Sequence, residues 1–158
     1  MPGDIKLTSS LAPRWQSVQE IRTAVENALA GYGREIEDAG KMVASELVEN
    51  AVKQWDAVRD APAIAVALSA NGTQIEIAVT SRLGSAADAR RLKNHIDRLK
   101  ADRQSASLLY RQRIREIMEN PEQSGTRLGL FRIVCEGQFR LAYRFNENAV
   151  TVTAIRMI

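Results

Sequence analysis

The run "AIAVALSA", residues 63–70, is followed after "NGT" by "QIEIAVTS", residues 74–81. Both alternate apolar residues with small or polar ones, which is the period of a half-buried strand. Asn71-Gly72 between them is the strongest short-range hairpin signal. Strands joined this tightly run antiparallel, because parallel neighbours need a crossover of a dozen residues or more. A second pair closes the chain, with "QFRLAYRF" and "AVTVTAIRMI" around "NEN". Strands that arrive as hairpins argue for an α+β protein, with helices layered on one face of a mostly antiparallel sheet.

Helical spacing fills the rest. "DIKLTS", 4–9, reads as a short edge strand. In "LAPRWQSVQEIRTAVENALAGYG" Trp15, Val18, Ile21, Val25 and Leu29 recur on one stripe, and Gly31 and Gly33 supply a stop. A second helix covers 34–56. Residues 86–103 place Ala89, Leu92, Ile96 and Leu99 on one stripe. Residues 105–119 do the same with Leu109 or Tyr110, Ile114, Ile117 and Met118. "ENPEQSG" breaks the chain, and "RLGLFRIVCE" is a short helix. The order is β-α-α-β-β-(α-α)-α-β-β, without repeats or linkers, and 158 residues suit a single domain over 1–158.

Composition narrows the chemistry. The single Cys135 excludes an internal disulfide framework and a cysteine-cluster zinc site. The single His95 argues against a histidine-based catalytic or metal constellation; a phospho-acceptor role competes there with an exposed or partly packed side chain. Cys135 reads as core-facing and inert, and Trp15 and Trp55 as core or interface anchors. No apolar run approaches the roughly 20 residues that span a bilayer, and "MPGDIKLTSS" lacks a signal core, so a cytoplasmic protein with no membrane partner is expected. From Arg82 to Glu119 ten Lys/Arg stand against five Asp/Glu. A solvated helical face accounts for this basic bias. No aromatics are interleaved for base stacking, so nucleic acid is not the expected partner.

The second helix carries a polar stripe. In "SELVENAVK" Glu46, Asn50 and Lys53 sit at i, i+4 and i+7 on one face, beside the apolar Val43, Leu47 and Ala51. Such a stripe fits the rim of a cleft. A carboxylate can orient or deprotonate a hydroxyl, an amide oxygen is a hard ligand for Mg²⁺, and a lysine supplies charge to phosphates. The same three residue types are also common on helix surfaces.

"ELVENAVK" resembles the N-box of the GHKL ATPase superfamily, E-x-x-x-N-A-x-K, which includes histidine kinases, gyrase-type ATPases and anti-sigma-factor serine kinases. The element order matches too. The resemblance implies a two-layer α/β sandwich of the Bergerat type that holds Mg-ATP between sheet, N-box and lid. It implies Glu46 as general base, Asn50 as magnesium ligand and Lys53 as the phosphate-side lysine.

"SGTRLGLFRIV" is similar to that family's second glycine box, G-T-G-L-G-L: Gly125, Thr126, Leu128, Gly129 and Leu130 match, and Arg127 replaces the central glycine. A helix N-terminus offers unsatisfied N–H groups to an anion, and glycine lets the backbone approach it. Arginine restricts that approach, though it could add a cation. The first box, D-x-G-x-G, is lost in "VTSRLGSAAD". Ser81 stands where the adenine-binding Asp belongs, Leu83 where the first Gly belongs, and Gly84 is displaced by one. Each departure costs about 1–3 kcal/mol, together roughly two to four decades of affinity. The lid, about 86–124, reads as two charged helices rather than a glycine-rich loop. In this it resembles the SiaB family of serine/threonine kinases.

Two functions follow from the resemblance. One is a regulatory protein with weak or lost ATP binding that acts through protein contacts in partner switching, and the resemblance allows a homodimer. The other is an active Mg-ATP-dependent serine/threonine kinase that phosphorylates a STAS-domain antagonist or another regulatory protein.

Overall fold

A computed structural model describes residues 3–55, 63–83, 85–101, 103–119 and 128–158. Five strands form one sheet: β1 (Ile5–Leu11), β2 (Ile64–Ala70), β3 (Gln74–Arg82), β4 (Arg140–Asn146) and β5 (Ala149–Met157). Their order is β1-β2-β3-β5-β4, and every neighbouring pair is antiparallel. Helices α1 (Gln16–Leu29) and α2 (Arg34–Trp55) connect β1 to β2, and α3 (Ala86–Ala101), α4 (Arg103–Glu119) and α5 (Leu128–Cys135) connect β3 to β4.

The alternation read in the sequence is the alternation of burial. Ile64, Val66 and Leu68 of β2 face Ile75, Ile77 and Val79 of β3 on the buried side, with Val150, Val152 and Ala154 of β5 continuing the layer. Ala65 and Ala67 point to solvent, so the helices cover one face and leave the other open. The first hairpin is closed by a side chain: Asn71 Oδ1 accepts hydrogen bonds from the Thr73 and Gln74 amides and from the Thr73 hydroxyl. Asparagine is favoured in turns because its side chain can bond backbone a few residues on.

Helix α2 lies across the core. Val43, Ala44, Leu47, Val48, Ala51 and Val52 are all buried. Gly40 permits close approach to α1: a methyl there would overlap Leu29 Cδ1 and lie 3.4 Å from Val25 Cγ1 and 3.5 Å from Ile75 Cδ1. One expected anchor does not lie in the core. Trp15 precedes α1 and is 49% exposed, while Ser17 takes the buried place in the first turn and donates its hydroxyl to the Ala12 carbonyl. The Trp55 side chain lies outside the described residues. His95, expected exposed or partly packed, is buried edge-on against Phe131 with ring centroids 4.9 Å apart.

The expected lid segment comprises α3 and α4. Ile96 and Leu99 of α3 join the core, and Tyr143 of β4 donates its hydroxyl to Asp97 at 2.8 Å. Among the described side chains of the α4 stripe, Tyr110 packs against the core and Ile117 is half-buried, while Ile114 and Met118 are exposed. Among the described residues no helix is long and apolar enough to cross a membrane.

Candidate functional site

The Glu46, Asn50 and Lys53 stripe on α2 divides between two settings. Glu46 is directed at α5, and its side chain is only 14% exposed. Asn50 lines a small cavity with Leu47 and Ala51 of its own helix, Val79 and Ser81 of β3, Leu92, Leu130, Val150 and Val152. Lys53 is exposed. Asn50 and buried Ser81, which lie far apart in sequence, thus share one hollow. Its volume is about 20 Å³, room for a water molecule.

Gly129 is placed directly against Glu46. A methyl built on Gly129 would overlap the Glu46 Oε2 atom and stand 3.1 Å from Glu46 Cδ and 3.4 Å from Glu46 Cβ. The glycine at this position therefore permits close helix–helix approach. Leu128 opens α5, and its side chain lies outside the described residues. Gly84, Gly125, Thr126 and Arg127 also lie outside them, so neither glycine box is on view as a whole.

Arg132, one turn after Gly129, takes up the Glu46 carboxylate: Nη1 donates to Glu46 Oε1 at 2.7 Å. Its Nε donates to Glu136 Oε2 at 3.1 Å. The other oxygen of Glu136 accepts the Tyr110 hydroxyl of α4 at 2.5 Å. Tyr110 also stacks on Phe131, with centroids 6.1 Å apart. A continuous polar chain thus runs from α4 through α5 to Glu46. The sequence names Tyr110 only as a candidate for the apolar stripe of 105–119, and it does not single out Arg132 or Glu136. The signal for those two is spacing: Gly129, Arg132 and Glu136 recur at i, i+3 and i+7, as Glu46, Asn50 and Lys53 do at i, i+4 and i+7.

The electrostatics follow the geometry. Burial, then neighbouring Glu49, raise the Glu46 pKa, outweighing the opposing pull of Arg132 and Lys53. Glu136 moves the other way: the Tyr110 hydroxyl first, then Arg132, hold it below 4.5 despite partial burial. Burial, and then the bond to Glu136, push Tyr110 up to about 12. Half-buried Cys135 is also shifted up, by burial and then by Glu136, which disfavours the reactive thiolate. A carboxylate whose folded-state pKa is lowered contributes stability above its unfolded value and loses it as pH falls through the folded one. Tyr110→Phe should therefore raise the Glu136 midpoint toward 4.5 and reduce that residue's share of acid destabilisation. Carboxyl NMR of wild type and variant checks this; an unmoved Glu136 resonance would refute the bond's role.

No family model matches the chain, and no curated protein matches it. Among solved structures it is similar to a chain in the crystal structure of the SiaB–SiaC complex from Pseudomonas aeruginosa. That match has a TM-score of 0.76 and 19% identity, and it covers 95% of this chain and 88% of that chain. At this identity the likeness concerns the fold: the α+β architecture, with a five-stranded antiparallel sheet and five α-helices among the described residues, is SiaB-like.

Proposed function

We propose that this chain is a regulatory protein of the histidine kinase-like ATPase fold that acts by binding another protein in partner-switching signalling, with nucleotide binding weak or lost. The observation that carries this reading is the state of Glu46. The residue that the N-box resemblance implies as general base is paired with Arg132 at 2.7 Å and pressed against Gly129. A base held by a guanidinium is poorly placed to take a proton from a substrate hydroxyl.

The residues fit Mg-ATP only in part. Asn50 and Ser81 meet in one hollow, as a magnesium ligand and an adenine-side hydroxyl would near a nucleotide. Ser81, however, lacks the acceptor strength of the family's aspartate. The sequence departures in both glycine boxes support the same reading. The similar chain belongs to a complex of SiaB with SiaC, which supports a protein partner here; by the family resemblance that partner is a STAS-type antagonist.

The juxtaposition of Asn50 and Ser81 favours a second reading, an active serine/threonine kinase with Glu46 as base. Titration with a fluorescent ATP analogue in Mg²⁺ separates the two. The expected result is no saturation at micromolar protein or nucleotide, with Asn50→Ala indistinguishable from wild type. Micromolar binding that disappears in Asn50→Ala would establish the kinase reading instead.

A further inference from the structure

We infer that Arg132 is a positioning residue whose hold on Glu46 is set by α4 through Tyr110 and Glu136, so that displacement of α4 releases the Glu46 carboxylate. This assigns a regulation to the site proposed above and rests on that reading for its biological meaning.

The chain of contacts carries the inference. Arg132 divides its donors between two carboxylates, Nη1 to Glu46 and Nε to Glu136. Glu136 divides its acceptors between Arg132 and the Tyr110 hydroxyl. Each member has one partner toward α4 and one toward α2. If the hydroxyl is withdrawn, Glu136 keeps its charge but loses a donor. Its remaining donor, Arg132, is then drawn more strongly to it and away from Glu46. The link is directional because Arg132 and Glu136 stand one turn apart on the same side of α5 and its C-terminal end.

The α4 helix is a suitable lever. It packs on α5 and α3, and Tyr110 makes both a ring contact with Phe131 and a polar bond to Glu136. Among the described residues, the groups acting on Glu46 are Glu49 and Lys53 from its own helix, and Arg132 with the Gly129 backbone from α5. Arg132 is thus the cation through which α5 acts on the carboxylate. Under the reading above, a partner protein that moves α4 would unlatch the N-box glutamate without touching it.

The test is a carboxyl NMR titration of the full chain, with Glu46 assigned by the resonance lost in Glu46→Gln. In Arg132→Gln the Glu46 midpoint should rise by about one unit or more, the usual effect of removing an adjacent opposite charge. Arg132→Lys should restore part of the shift. Tyr110→Phe should raise the Glu46 midpoint by a few tenths of a unit when Arg132 is present and leave it unchanged in the Arg132→Gln background. A merely structural Tyr110 would move Glu46 equally in both backgrounds. That result, or a Glu46 midpoint indifferent to Arg132→Gln, would overturn the inference. The titration contains neither nucleotide nor partner, so its failure is separable from failure of the functional reading.

Discussion

Phe139→Ala should lower the unfolding free energy by about 3–5 kcal/mol, the cost of emptying a large aromatic site in a close-packed core. Phe139 is 0% exposed. It immediately precedes β4, and its amide donates to the Ile133 carbonyl of α5 at 3.1 Å, so the backbone that enters β4 is fixed where the ring is buried. A methyl built on nearby Gly137 would come within 2.9 Å of Met42 Cε on α2 and 3.2 Å of the Phe139 ring. There is no slack around this junction for side chains to fill a cavity. A loss of this size removes a large part of a typical domain's stability. It should lower the thermal midpoint by roughly 10 °C, at about 2–4 °C per kcal/mol for a chain of this length. Met118→Ala is the control: that side chain is 78% exposed, and its removal should stay within about 0.5 kcal/mol. Denaturant melts of both variants give the comparison. Equal, small effects would remove Phe139 from the core.

The hairpins were legible because a strand's period of two writes burial into the sequence. Ile64, Val66 and Leu68 are buried while Ala65 and Ala67 face solvent, as the alternation requires. The α1 stripe was legible from Ile21 to Leu29 and failed at Trp15, since periodicity does not mark the residue at which a helix begins. On α4 the apolar spacing was real, but Ile114 and Met118 are exposed. Spacing says which residues share a face, not whether a neighbour covers that face. His95 shows the converse, an isolated polar residue that Phe131 of a distant helix encloses.

The candidate site divides along the same line. Glu46, Asn50 and Lys53 could be placed on one helix because a helix relates neighbours by local rules. Asn50 of α2 and Ser81 of β3 line one cavity, a meeting of separate elements that no local rule relates. The pairing of Glu46 with Arg132 joins residues 86 positions apart. Among 22 Lys and Arg in the chain, nothing in the local sequence marks that one as the partner. Long-range ion pairs depend on how helices dock, and docking here depends on a glycine.

Gly129→Ala should therefore destabilise the protein by about 1–3 kcal/mol, the range for adding a methyl to a filled site. In a free helix the same change is favourable by about 1 kcal/mol, since glycine is the poorer helix former. The sign is reversed here by Glu46, whose Oε2 occupies the place of the new methyl and whose Cδ and Cβ stand 3.1 and 3.4 Å from it. The carboxyl end can swing aside, but then it leaves Arg132; the Cβ, at 3.4 Å, is in ordinary contact and need not move. The remedy is built into the geometry. In a Glu46→Ala background the overlapping atoms are gone, and Gly129→Ala should become neutral or stabilising by up to about 1 kcal/mol. A double-mutant cycle in denaturant therefore reads a coupling of about 1–3 kcal/mol between residues 46 and 129. If Gly129→Ala costs the same in both backgrounds, the contact between α2 and α5 is not what requires glycine there. The Glu46 site would then have to be rebuilt without α5 as its wall.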